Sequence, residues 1–176
     1  MSNIIVVYTS ETGFTEKYAG WIAEELKCKA VKRTEISRDE LRNYDVIIYG
    51  GGMYAGQING LKKMRQMVQG LNRKQMVVFS TGATPAEFKD TVKQALDQNF
   101  TEEEKNSIPA YYFQSGLNYE KMSFKSKMMM KMFSSMMAKK KDKTEEEQVM
   151  AEGLKSSSDM CRREWIDPLV SCVRTL

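Results

Sequence analysis

Short apolar runs recur along this chain, each parted from the next by a stretch long enough to hold a helix. Residues 4–8 (Ile4-Ile5-Val6-Val7-Tyr8), 30–31, 46–49, 76–79 and 110–113 read as strands, the second of them short. Residues 16–26, about 60–69 and 85–99 carry helical patterns between them. Near-continuous Val/Ile runs, rather than alternating ones, suit strands buried on both faces. Strand–helix alternation of this kind calls for right-handed crossovers and a parallel sheet. The expected fold is α/β, with five strands in the doubly wound order 2-1-3-4-5 and one domain spanning residues 1–176. Such sheets bind their ligands beyond the carboxyl ends of the strands. Every loop that follows a strand is therefore a candidate.

The first such loop is Ser10-Glu11-Thr12-Gly13-Phe14-Thr15. It lies between a buried strand and a helix, so backbone N–H groups of the first helical turn and the helix dipole are available to an anion. Ser10, Thr12 and Thr15 can add hydroxyl donors. The loop has one glycine and no Lys or Arg. A Walker loop would carry Gly-Lys-Ser/Thr, and a dinucleotide fingerprint three glycines. What remains is a site for a terminal monophosphate held by dipoles and hydroxyls, or an ordinary capped helix.

Two later loops follow strands in the same way. After the third strand comes Gly50-Gly51-Gly52-Met53-Tyr54-Ala55-Gly56, whose glycines would let backbone run against a flat ligand. After the fourth comes Ser80-Thr81-Gly82-Ala83-Thr84-Pro85, in which Thr84 would cap a helix starting at Pro85 and Thr81, Gly82 and Ala83 would line the ligand's other side. Each is otherwise a plain turn.

The pattern Ser/Thr-x-Thr-Gly-x-Thr after the first strand resembles the phosphate loop of flavodoxins, which hold FMN. Ile36-Ser37-Arg38-Asp39-Glu40-Leu41, then Tyr44-Asp45-Val46-Ile47-Ile48-Tyr49-Gly50, and an insert after strand five narrow the resemblance. They resemble the flavodoxin-domain group that contains menaquinone-dependent protoporphyrinogen dehydrogenase. In that group the fifth strand runs into Gly and Tyr/Leu-rich sequence ahead of a long insert. Here that stretch is Tyr112-Phe113-Gln114-Ser115-Gly116-Leu117-Asn118-Tyr119, and the insert covers about 117–143. The resemblance implies FMN as cofactor, held by residues 10–15, by Gly51 to Gly56 and by Thr81 to Ala83, with Tyr54 the candidate to stack on, or edge against, its ring. It implies no catalytic side chain, because the flavin performs the electron chemistry.

The insert crowds Met122, Phe124, Met128, Met129, Met130, Met132, Phe133, Met136 and Met137 into 16 positions. Met129, Met132, Phe133, Met136 and Met137 fall at i, i+3, i+4, i+7 and i+8, one helical stripe. Lys127, Lys131, Ser134 and Ser135 lie opposite, and Lys139-Lys140-Lys141 close the segment. Three roles fit this basic amphipathic helix: packing on the core or an oligomer contact, lying on anionic lipid, or covering a flat apolar acid such as a tetrapyrrole, with Met129, Met132, Phe133 and Met136 on the macrocycle and Lys127 and Lys131 near its acids. Methionine suits a surface that meets varied apolar shapes. Downstream, Thr144 should cap a helix, residues 156–159 read as a loop, and a last helix is expected over about 163–173, with Pro168 allowing a start at Asp167 instead. Trp21 and Trp165 are expected to be buried.

Composition narrows the functions. The chain has no histidine, which removes His-based triads and most zinc sites. Three cysteines without CxxC spacing read as reduced, packed thiols and not as a metal or redox motif. A net charge of +4 is no ground for a nucleic-acid partner, but it is unusual for soluble flavodoxin carriers, which are acidic. No apolar run is long enough to span a bilayer and no signal core opens the chain, so the expected location is cytoplasmic, with the insert allowing contact with the inner face of the membrane. The leading expectation is an FMN-dependent oxidoreductase acting on a flat hydrophobic substrate such as protoporphyrinogen, with a quinone or another acceptor. The alternative is an electron-transfer flavodoxin serving a redox partner protein. A flavin-free interaction module using the Lys/Met helix is a third class.

Overall fold

The computed structural model describes residues 2–71 and 75–176. Strand β1 (Ile4–Thr9) leads into helix α1 (Phe14–Leu26), then β2 (Lys29–Lys32), a 3-10 turn (Arg33–Glu35) and the short α2 (Arg38–Leu41). Next come β3 (Val46–Tyr54), β4 (Gln57–Ile58), α3 (Leu61–Val68), β5 (Gln75–Gly82), α4 (Lys89–Asp97), α5 (Glu102–Ser107) and β6 (Ala110–Gln114). The chain closes with β7 (Gly116–Leu117), α6 (Phe124–Lys139), α7 (Glu145–Gly153), β8 (Ser158–Asp159), a 3-10 turn (Arg163–Ile166) and α8 (Asp167–Val173).

The main sheet runs β2-β1-β3-β5-β6, all parallel. Counted among its parallel strands this is the expected 2-1-3-4-5 order. Each of its faces carries a hydrophobic layer. Val6, Tyr18, Ile22, Phe79, Phe113, Leu169 and Val173 pack under α1 and α8. Ile5, Val7, Leu41, Ile47, Tyr49, Met64 and Val78 pack under α2 and α3. Adjacent residues of one strand feed opposite layers, which is why the apolar runs do not alternate.

Several expectations need correction. The glycines after strand three do not form a loop; they continue β3 as far as Tyr54, and a tight turn at Ala55 and Gly56 returns the chain antiparallel as β4. Both turn residues have positive φ, 47° and 77°, as a two-residue hairpin turn demands. The glycines answer to crowding by the protein itself. A Cβ on Gly50 would lie 2.1 Å from Phe79 Cζ, and one on Gly51 2.5 Å from the Asn59 carbonyl oxygen.

The helix expected from Pro85 starts at Lys89, and its N-cap is Phe88 rather than Thr84. Side chains of β6 hold the preceding residues in a turn instead: the Tyr112 hydroxyl donates to the Thr84 carbonyl at 2.9 Å, and Gln114 Oε1 accepts the Ala86 N–H at 3.0 Å. Residues 158–159 are not loop, since they pair with Gly116–Leu117. Trp21 and Trp165 are half-buried, packed at the margin of the α1 layer. Thr144 does cap α7, forming a capping box with Glu147, and α8 does start at Asp167. The three cysteines are free thiols, half-buried.

A third, smaller cluster lies outside the sheet. Leu117, Met122, Met137 and Leu154 are buried there, with Tyr119, Met130, Phe133, Met150 and Ala151 packed around them. It joins the two helices of the insert region to each other. Among the described residues no helix is long and apolar enough to cross a membrane.

Candidate functional site

The loop after β1 is shaped from within. The Gly13 N–H donates to Ser10 Oγ at 3.1 Å, and Gly13 takes a φ of 96°. Gly13 is the N-cap of α1, and no side chain caps that helix. Phe14 and Thr15, expected as loop, form its first turn. The first-turn amides are thus left for an anion, as uncapped helix termini require. Thr15 is buried beneath the loop, its hydroxyl 2.8 Å from that of Thr81 at the end of β5. Two hydroxyls sharing one hydrogen bond keep one proton to donate elsewhere. Two of the three expected loops are joined at this contact. The Thr12 side chain is half-buried.

Glu11 shows what the sequence could not. Its carboxylate accepts the Ser123 N–H at 2.9 Å and the Ser126 hydroxyl at 2.8–2.9 Å, both at the start of α6. Tyr54 donates to it from the end of β3. Partial burial opposes ionisation of Glu11, but the hydrogen bonds from Ser123, Ser126 and Tyr54 outweigh it and hold the carboxyl below its ordinary value. Burial, reinforced by Glu11, raises the Tyr54 phenol in turn. Lys121 also arrives here. Its Nζ lies 3.8 Å from where a Cβ on Gly13 would stand, so the loop without a cation acquires one from 108 residues downstream. No local pattern marks Lys121, Ser123 or Ser126, because their roles depend on how the insert folds back.

The second loop is held by the chain beyond α4. Gln98 Nε2 and Asn99 Nδ2 both donate to the Gly56 carbonyl at 2.8 Å, and Asn99 Oδ1 accepts the Ile58 N–H at 2.9 Å. Asn99, expected as the last residue of a helix, is therefore a clamp on the β3–β4 hairpin. The Tyr54 ring lies across Gly52, where a Cβ would sit 3.0 Å from Cε2. Met53 pairs with Ile58 within the hairpin, and Ala55 forms its tip. In the third loop Gly82 accepts the Ser115 N–H at 2.7 Å, and Ala83 is exposed. A hollow of about 620 Å³ lies elsewhere, between α4 and β6, and none of the expected site residues lines it.

The expected methionine stripe divides. Phe133 and Met137 turn inward, joined by Met130. Met129, Met132 and Met136 face solvent, with Phe124 and Met128 beside them. Lys127 and Lys131 are exposed. Apolar residues surround so much of α6 that periodicity alone could not choose the buried side. The choice is made by Leu117, Met122, Met150 and Leu154, which meet Met130, Phe133 and Met137.

Among proteins of curated function, none matches the sequence. Of solved structures, the chain is similar to the Streptococcus pneumonia TIGR4 flavodoxin, with 19% identity, 67% of this chain and 88% of that one covered, and a TM-score of 0.47. It is also similar to the two-electron reduced Megasphaera elsdenii flavodoxin (20% identity, 63% and 84% covered, TM-score 0.46) and to a flavoprotein in complex with FMN from Lactobacillus acidophilus NCFM (17%, 65% and 93%, TM-score 0.46). A family model described as the flavodoxin domain matches residues 5–145. FMN is the cofactor of that domain, and the uncapped first turn, the hydroxyls of Ser10 and Thr12 and the nearby ammonium form a donor set that fits its phosphate. With most of its length matched, the five parallel strands and the loop after β1 included, the chain belongs to the flavodoxin-domain family.

Proposed function

We propose that the protein is an FMN-dependent oxidoreductase whose substrate is a flat hydrophobic molecule of the protoporphyrinogen type, with a quinone or another acceptor taking the electrons onward. One observation carries this reading beyond a generic carrier. The insert is fastened to the phosphate loop through Glu11, and the helix fastened there presents Phe124, Met128, Met132 and Met136 to solvent. These four recur every fourth residue and form a continuous apolar strip. Lys125, Lys127, Lys131 and Lys139 flank it. A strip of this kind beside a flavin site suits a macrocycle whose edge carries carboxylates.

FMN supplies one- and two-electron chemistry when bound. The chain's own residues do the rest. The first turn of α1, with Ser10, Thr12 and Thr15, binds the phosphate. The end of β3, with Gly51, Gly52, Met53 and Tyr54, and the tip residues Ala55 and Gly56 flank the ring on one side, with Thr81, Gly82 and Ala83 on the other. The methionine strip covers the substrate and excludes water. The same strip and its lysines favour a membrane-borne substrate, because quinones and porphyrins partition into lipid.

Family membership favours a second reading, an electron carrier between redox proteins. Anaerobic mixing of the FMN-loaded protein with protoporphyrinogen separates the two. Rapid loss of the oxidised flavin absorbance is the expected result. An unchanged flavin that protein reductases reduce readily would favour the carrier, or an enzyme working in the reducing direction, instead.

A further inference from the structure

The loop after β1 is built for a phosphate yet has no cation within it, and the insert reaches that loop at one point. Around Lys121 the backbone is pinned on both sides. Lys121 N–H and Met122 N–H donate to the Asn118 carbonyl, each at 3.2 Å, and Lys121 N–H also meets Asn118 Oδ1 at 3.1 Å. The Met122 side chain is buried in the insert's own cluster. Ser123, the next residue, is tied through its N–H to Glu11 of the phosphate loop. Between these anchors the Lys121 ammonium stands over Gly13. No carboxylate among the described residues forms an ion pair with it, whereas Lys17 in the first turn of α1 is paired with Asp159 at 2.8 Å.

We propose that Lys121 supplies the positive charge for the FMN phosphate that the phosphate loop itself lacks, making the insert part of the cofactor site. This rests on the FMN reading above. A monophosphate near neutral pH carries between one and two negative charges. Amides and hydroxyls alone neutralise them only with partial charges. An ammonium held beside the loop completes the balance, and Glu11 is the positioning residue that keeps the insert, and so Lys121, in place. The assignment also gives the insert a second task, since the segment that leads into the methionine strip then senses whether the phosphate is present.

The test is a titration of the full-length, flavin-free protein with FMN and separately with riboflavin, which lacks the phosphate, followed by flavin fluorescence. Lys121→Gln should weaken FMN binding about tenfold, the value of one charge-assisted hydrogen bond, and leave riboflavin affinity unchanged. Lys121→Arg should restore most of the loss. The dependence of FMN affinity on salt should flatten in Lys121→Gln. Unchanged FMN affinity in Lys121→Gln, or equal losses for both flavins, would overturn the assignment while leaving the cofactor in place. A wild-type protein that binds neither flavin would overturn the FMN reading, and this assignment with it.

Discussion

Gly50 owes its identity to Phe79. The ring occupies the space a side chain would need, and it is fully buried between β3 and α1. Gly50→Ala must move that ring or the strand, and a cost of about 1–3 kcal/mol follows for overpacking of this kind. Chemical denaturation should show it as a lower midpoint at an unchanged slope. The sequence offered three consecutive glycines and the reading of a loop against a ligand. It did not show the reason for them, because Phe79 and Asn59 meet the glycines only once the strands pair. The same limit applies to Glu11. As a loop residue between Ser10 and Thr12 it looked like a ligand contact, and its partners Ser123 and Ser126 lie more than a hundred residues away. The Ser10–Gly13 turn was legible because its geometry is local, set by one strand end and one helix start, whereas the Thr15–Thr81 contact joins two loops that are distant in the chain.

At the scale of elements, α6 carries two faces of one chemical type with opposite consequences. Met137 is buried against the insert's cluster, and Met132 lies about two-thirds exposed at 67%. Met137→Ala should cost about 2 kcal/mol, at the lower end for a buried methionine because the cluster is small. Met132→Ala should leave thermal stability unchanged. A shift of the melting temperature in the exposed variant, or none in the buried one, would show that the helix lies the other way round. Elements of the sheet were the easiest to read, since buried parallel strands need apolar runs and amphipathic connections. The start of α4 was misread because Pro85 and Thr84 are a good opening pair, and the capture of this segment by Tyr112 and Gln114 overrides their preference. The short α5 owes its existence to a capping box between Thr101 and Glu104.

Taken whole, the molecule has two hydrophobic layers on the sheet and a separate cluster under the insert. The smaller cluster buries less, so it should open at lower free energy than the sheet. Glu11 adds a pH dependence to that opening. Its folded value is depressed, so the stability it lends is present above its ordinary value of 4.5 and is lost as the pH falls through the folded value. Amides of residues 118–126 should therefore lose protection on acidification below that range, after correction for intrinsic exchange, while β1, β3 and β5 stay protected. Hydrogen exchange on the wild type and on Glu11→Gln checks this, because the variant should lose the part of the pH step that Glu11 supplies and keep only what Glu120, held low by the Ser157 hydroxyl, contributes. The pairing of Gly116–Leu117 with Ser158–Asp159 bears on how such a chain could vary over time. The Met160 N–H reaches the Ser115 carbonyl at 2.5 Å, and the Tyr18 hydroxyl donates to the Gln114 carbonyl at 2.6 Å and accepts the Arg162 N–H at 3.1 Å. The roughly forty residues between those two strands thus leave and re-enter through a single gate, and closing a loop costs little more as it lengthens. Changes of length within that stretch stop at the gate as far as the sheet is concerned, while the ties of Ser123 and Ser126 to Glu11 leave only its first turn answerable to the loop after β1, so the rest of it is free to vary without renegotiating the sheet.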